Sequence, residues 1–256
     1  MTSPWNPEQY EKFRNERSQP FFDLLALVQP IPGGRAIDLG CGTGELTRIM
    51  HDTVGANATI GLDNSETMLE KSAAVAGGGL TFKLGTIFRF GPRKPYDLLF
   101  SNAALQWVTD HEGLFPRLAA GVAPGGQIAV QMPTNADHQS HLTAFELARE
   151  EPWRTALDGY FRPWPVMPPE WYAETLDRLG FAEQSVRLQV YAHHLDSRED
   201  VVEWVKGSLL TDYQRRMDPA IWPDFLEAYR ARLMPRLADT HPYFYAFKRV
   251  LIWAKK

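Results

Sequence analysis

The chain has 256 residues, with 27 basic and 31 acidic side chains, a formal net charge of −4 and one cysteine. A chain of this length buries a large core without staples, and its near-balanced charge argues against a nucleic-acid or anionic-membrane partner. The lone Cys41 excludes an intrachain disulfide and a cysteine-built zinc site, while the N-terminal "MTSPWNPEQYEKFRNERSQP" lacks an apolar leader and no membrane-length apolar run follows, so a cytoplasmic protein is expected.

In chain order, short apolar runs rich in β-branched residues alternate with helical patterns. The expected strands are "RAIDLG", "ATIGLD", "LTFKL", "YDLLFS" and "QIAVQM". Between them stand the helical "GELTRIMHDTV", "SETMLEKSAAVA" and "HEGLFPRLAAGV", the last ending in an "APGG" turn. This alternation predicts a doubly wound α/β fold around a mostly parallel sheet. Past Met132 the pattern changes to a cover. "AFELAREEPWRTAL" reads as helix, "GYFRPWPVMPPEW" as a proline- and aromatic-rich loop, and "AETLDRLGF" as helix. A strand "RLQVYAHHL" follows, then helices over "SREDVVEWVKGSLL" and "DPAIWPDFLEAYRARLMPRL", and a last strand in "YAFKRVLIWAKK". No linker divides the chain, so one domain over 1–256 is expected, with its core at about 30–133 and a final strand near 246–253.

The loop "DLGCGTG" follows a strand and opens a helix, and Gly40, Gly42 and Gly44 let backbone pass close to a ligand. A P-loop is excluded, because no Gly-Lys-Ser/Thr follows and Glu45 stands where a phosphate needs a cation. The spacing G-x-G-x-G also departs from the dinucleotide fingerprint. Asp38 and Glu45 would repel a polyphosphate and favour a cationic or zwitterionic ligand. Asp63, at the end of the second strand, is placed to accept the hydroxyls of a ribose. An adenosine without phosphate meets both requirements. The bland alternatives are a tight turn for the glycines and a helix N-cap for Asp63.

Taken in order, "AIDLGCGTGELT", "GLDNSETML", "YDLLFSNAALQWV" and "GGQIAVQMP" resemble the class I S-adenosylmethionine-dependent methyltransferases. The resemblance implies a Rossmann-like seven-stranded sheet and S-adenosyl-L-methionine as methyl donor. It implies that backbone at Gly40, Cys41 and Gly42 cradles the methionine part, with Asp38 near its ammonium and Asn102 at the fourth strand tip. Asp63 would bind the ribose, and Asn64 and Met68 would flank the adenine. The family's acidic residue after the third strand is replaced here by Gly85, Thr86 and Ile87, leaving Thr86 or a backbone group to meet the adenine. Cys41 has no histidine partner in the pattern and reads as structural.

Almost the full length also resembles the trans-aconitate 2-methyltransferases, carried by "WNPEQYEKFRNERSQPFFDLL", "SNAALQWVTDHEGLFPRL" and "GGQIAVQMPTN". That family esterifies a carboxylate of a small tricarboxylic acid, which implies a small-molecule acid as substrate and no metal. A carboxylate with an ordinary pKa of about 4 is already an anion at neutral pH and needs capture, not a general base. Arg17, with Arg14 beside it, offers a guanidinium fork, unless both stand on a solvated face with Glu11 and Glu16. Gln106, Trp107 and His111 follow the fourth strand, where the resemblance places the transferred methyl. Trp107 lines the pocket or belongs to the core, and His111 donates to the acid or serves the helix start. His138, His141, Arg162 and the "HPYFYAFKR" stretch are further cover candidates.

Two other acceptors stay open on sequence alone, an acyl-carrier thioester and a hydrophobic metabolite, as does a donor-binding protein without catalysis. Oligomeric state is also open, with a monomer compatible.

Overall fold

The computed structural model describes the backbone from Arg14 to Lys256 and side chains from Ser18 onward. From Arg17 the chain divides into two compact units. The first holds Arg17–Thr134, Pro165–Gln189 and Lys248–Lys256; the second holds Asn135–Trp164 and Val190–Phe247.

The first unit is organised by strands β1 (Arg35–Leu39), β2 (Ala58–Asp63), β3 (Leu80–Leu84), β4 (Tyr96–Asn102) and β5 (Val122–Pro133). With β6 (Glu183–Leu195) and β7 (Tyr243–Lys255) they form one seven-stranded sheet in the order β3-β2-β1-β4-β5-β7-β6. β1 to β5 are parallel and β7 runs antiparallel to β5, giving the mostly parallel, doubly wound sheet expected from the alternation. Chain order runs outward from β1 to β3 and then crosses to β4 on the other side of β1. Connections therefore leave the C-terminal ends of β1 and β4 in opposite directions, and a crevice opens where ligands bind in such sheets.

Helix α1 (Arg14–Leu25) lays Phe21 and Leu24 on one face of this sheet, packed with Ala36, Leu98, Phe100, Ala129 and Trp253. Met50 and Val54 of α2 (Glu45–Val54) join the same cluster, as that helix's apolar spacing requires. α3 (Glu66–Ser72) starts at Ser65, whose hydroxyl accepts from Met68 N–H, and α4 (His111–Ala120) at Asp110, whose carboxylate accepts from Gly113 N–H. The expected "APGG" turn lies inside β5: Tyr96 pairs with Val122 and Leu98 with Gln127, so the extra residues bulge within the strand.

The second unit has its own core, including Leu147, Trp204, Tyr213, Phe225, Tyr229 and Tyr245. Two stretches read as single helices are each split. Gln139–Leu147 (α5) and Trp153–Ala156 (α6) are separated at Pro152, whose ring removes an N–H donor. Asp200–Lys206 (α8) and Leu209–Arg216 (α9) are separated at Gly207 and Ser208, where glycine's freedom weakens a helix; α7 (Pro169–Arg178) precedes them and α10 (Trp222–Leu233) follows. Among the described residues no helix is long and apolar enough to cross a membrane.

Candidate functional site

The loop after β1 is held by its neighbour strand. Gly40 and Cys41 N–H both donate to Leu62 O, at 2.7 and 3.1 Å. Asp63 ends β2 and accepts from two backbone donors, Gly42 N–H on Oδ2 and Ser65 N–H on Oδ1, each at 2.9 Å. Thus the carboxylate that sequence assigns to a ribose also fixes the glycine turn, and each oxygen keeps lone pairs for a further donor. The bland alternative, Asp63 as helix N-cap, is not what is seen: the cap of α3 is Ser65, two residues later.

Gly40 and Gly42 are needed for different reasons. Gly40 has φ +83°, and a Cβ there would lie 2.2 Å from Cβ of Ala104 in the loop after β4. Gly42 has φ +55°, and the space its Cβ would fill is open to 4 Å. The first glycine lets two loops touch, whereas the second leaves a bare backbone facing a cradle.

Asp38 on β1 is buried, and its Oδ2 accepts from Thr47 Oγ1–H at 2.6 Å. Burial pushes its carboxyl up to about 7, against the lowering effect of the Thr47 hydrogen bond, and the nearby Asp63 charge adds to the rise. Its other oxygen, Oδ1, is buried without a hydrogen-bond partner. The same holds for Asn102 Oδ1 at the tip of β4 and for Gln106 Oε1, whose Nε2–H donates to Ala103 O at 2.7 Å. Orphaned buried acceptors are costly, and three of them about the β1 and β4 ends fit a ligand that brings positive charge and N–H donors. Ala103 adopts φ +54°, a conformation non-glycine residues rarely take, in the same loop.

On the β2 side, Asn64, Glu66, Thr67, Leu84, Gly85 and Thr86 line a cavity of about 480 Å³. Asn64 is exposed and Met68 half-buried. Thr86 Oγ1 accepts from Phe88 N–H at 3.3 Å and so starts the turn Ile87–Arg89, while its own proton remains to be donated. Cys41 is buried, and burial with the two carboxylates beside it pushes its thiol up, as suits a packed, unreactive side chain.

The sequence candidates for the acceptor are dispersed. Arg17 lies on α1, one turn before Phe21, and the side chains of Arg14 and Arg17 lie outside the described residues. Trp107 is 45% exposed in the turn Leu105–Trp107 after β4. His111 is buried, with Nε2 3.0 Å from Leu105 O and Nδ1 2.7 Å from Tyr172 Oη. Burial lowers its pKa, so the ring is neutral near pH 7. A carbonyl only accepts, hence Nε2 carries the proton and Nδ1 accepts from Tyr172 O–H, whose oxygen accepts from Met167 N–H. Neither ring nitrogen is left to donate to an acid, and the imidazole instead ties α7 to the turn that carries Trp107. Sequence missed Tyr172, which is 61 residues from His111 and carries no local signal.

In the second unit, His138 caps α5 by accepting Ser140 N–H, and the Ser140 hydroxyl lies 2.9 Å from His138 Nδ1, 3.1 Å from His141 Nδ1 and 3.3 Å from Tyr245 Oη. Burial lowers the His141 pKa to about 3, with the Arg162 charge assisting. Arg162 Nη1–H donates to Leu209 O at 2.9 Å.

Comparison with known proteins places the chain in a family. Residues 31–158 match a family model described as a methyltransferase domain. The chain is 40% identical to a trans-aconitate 2-methyltransferase of Deinococcus radiodurans, over 98% of each chain. It is 37% identical to one of Rhizobium etli, over 98% of this chain and 99% of that one. Among solved structures, an S-adenosylmethionine-dependent methyltransferase from Mesorhizobium loti superposes with a TM-score of 0.53 at 21% identity, covering 95% of this chain and all of that one; this likeness speaks to fold. A bare glycine backbone, a carboxylate with lone pairs to spare and orphaned acceptors at the β1 and β4 ends fit S-adenosylmethionine, and the chain belongs to the trans-aconitate 2-methyltransferase family of S-adenosylmethionine-dependent methyltransferases.

Proposed function

We propose that this enzyme methylates one carboxylate of trans-aconitate or a closely related small polycarboxylic acid, giving a monomethyl ester, in the cytoplasm. The observation that carries the reading is the near-complete coverage of the two relatives, both named for that substrate, which takes in the segments outside the donor-binding core.

Each site residue has a task in this reading. The Gly40–Gly42 backbone and Asp38 hold the methionine end of the donor, with Asn102 Oδ1 available to its ammonium. Asp63 holds the ribose while it fixes Gly42, and Asn64, Met68 and Thr86 enclose the adenine. When bound, S-adenosylmethionine supplies a methyl on a positive sulfur; the acceptor oxygen forms the new C–O bond as the C–S pair returns to sulfur. No proton moves, so the site needs no base. What the protein supplies is alignment and a dry environment, in which attraction between a carboxylate and a positive centre is stronger than in water. Arg17 and Trp107 are assigned to capturing and orienting the acid, and His111 to holding the Trp107 turn in place.

The test is methyl transfer from labelled donor to a panel of di- and tricarboxylic acids, with a phenol, an amine and an acyl thioester as controls. Label in an ester of a polycarboxylic acid supports the reading. Label in a control and in no acid overturns it.

A further inference from the structure

The sheet face that carries Asp38 continues beyond the donor-binding residues. Asp38 pairs with Phe100, two residues before Asn102; Asn102 pairs with Gln131, and Pro133 with Arg249. Alternate residues of a strand share a face, so Asp38, Asn102, Gln131 and Arg249 stand in a row across β1, β4, β5 and β7. Directly beneath on that face lie Phe100, Ala129 and Trp253, part of one apolar cluster. All four polar residues belong to the first unit.

Polarity divides the row. On the β1 and β4 side the orphaned atoms Asp38 Oδ1 and Asn102 Oδ1 are acceptors. On β5, Gln131 is wholly buried, and neither its amide oxygen nor its amide nitrogen has a partner. Next to it β7 contributes Arg249, only 6% exposed, whose guanidinium carries donors alone. Acceptors therefore stand where a cationic donor molecule lies, and N–H donors one and two strands further, where an anion would find them. A guanidinium carries five N–H donors, and beside the unsatisfied Gln131 amide it presents a fork that matches a carboxylate.

We infer that Arg249, with the Gln131 amide N–H, holds a carboxylate of the acceptor other than the one that is methylated. The pair selects acids with at least two carboxylates and turns the free one toward β4, and this inference rests on the carboxylic-acid reading above. Arg249 acts as a specificity-determining residue and takes no part in bond making.

The experiment uses the full chain, with steady-state methylation of trans-aconitate and of an analogue bearing a carboxamide in place of one carboxylate, alongside donor affinity by calorimetry. Arg249→Met should raise the acid's KM by about tenfold to a hundredfold, the value of a lost charge-assisted hydrogen bond. Donor affinity should stay within about twofold, and Arg249→Lys should recover part of the loss. Wild-type preference for the acid over its amide analogue should shrink in Arg249→Met. If Arg249→Met does not fold, Arg249→Lys and Gln131→Met carry the same comparison with smaller expected effects. Unchanged acid KM and unchanged acid-over-amide preference in these variants, with wild type active on acids, overturn this inference alone. Parallel loss of donor affinity and acid KM in Arg249→Lys also overturns it, because it marks a structural role. Wild type that methylates no carboxylate overturns the proposed function and this inference together.

Discussion

The Asp38→Asn substitution separates what the fold tolerates from what the ligand needs. Burial holds the Asp38 carboxyl at about 7 against an ordinary 3.8. At 1.36 kcal/mol per unit, that difference makes the ionised group about 4 kcal/mol less favourable in the folded protein than in the unfolded chain. The folded value is the higher one, so the associated stability is present below about pH 4 and is lost as pH rises through 7. Asparagine does not ionise, and its side-chain oxygen can still accept from Thr47. Without ligand, the stability of Asp38→Asn relative to wild type should therefore grow by about 4 kcal/mol between pH 4 and pH 8, read from denaturant unfolding at several pH values. Donor binding should show the opposite preference. A positive ligand lowers the Asp38 pKa, so wild type should release a proton on binding near pH 6.5, seen by calorimetry in buffers of different ionisation enthalpy. The variant should release none from this group and bind about tenfold to a hundredfold more weakly. A stability difference that does not change with pH, or wild-type binding without proton release, would refute the assignment of Asp38 to the ligand's cationic end.

The two loop glycines should respond differently to alanine. Gly40→Ala meets Ala104 and should lower stability by about 3 kcal/mol or more, while Gly42→Ala carries mainly the left-handed backbone strain of roughly 1–2 kcal/mol and should chiefly weaken donor binding; thermal unfolding and calorimetry separate the two. Asp63→Asn is not conservative, because both carboxylate oxygens accept backbone N–H groups and an amide nitrogen cannot; donor affinity should fall by about 2 kcal/mol or more, and wild-type affinity in that variant would remove Asp63 from the site. His141 titrates at about 3 in the folded chain against 6.5, so its stabilisation is present above pH 6.5 and lost as pH falls toward 3. His141→Gln should flatten the acid limb of the stability curve by up to about 5 kcal/mol, and an unchanged limb in urea titrations would contradict this.

Much of the sheet was legible because its strands stand as short apolar runs bounded by turn residues, the edge strand β3 included. "ATIGLD" and "LTFKL" match β2 and β3 residue for residue. Helices were legible by period but not by extent: Pro152 and Gly207 interrupt stretches whose apolar spacing runs on. The glycine loop and Asp63 could be read because their chemistry is local, a turn and a strand tip 19 residues past Gly44. What tertiary pairing decides could not. Nothing near His111 announces Tyr172, and the buried hydrogen bonds between them redirect the histidine from substrate to scaffold. Gln131 left a trace, a polar residue in the strand "QIAVQM", but its alignment with Asn102 and its nearness to Arg249 depend on register across three strands.

Transfer to a carboxylate oxygen of a polycarboxylic acid is the step on which the proposed function stands. Its most direct test is mass spectrometry of trans-aconitate incubated with enzyme and a trideuteromethyl donor, followed by mild alkaline hydrolysis. One added trideuteromethyl group per molecule is expected, released as labelled methanol with recovery of the starting acid. Label that survives hydrolysis on carbon, or trans-aconitate that stays unlabelled while another acceptor takes the methyl, would contradict it.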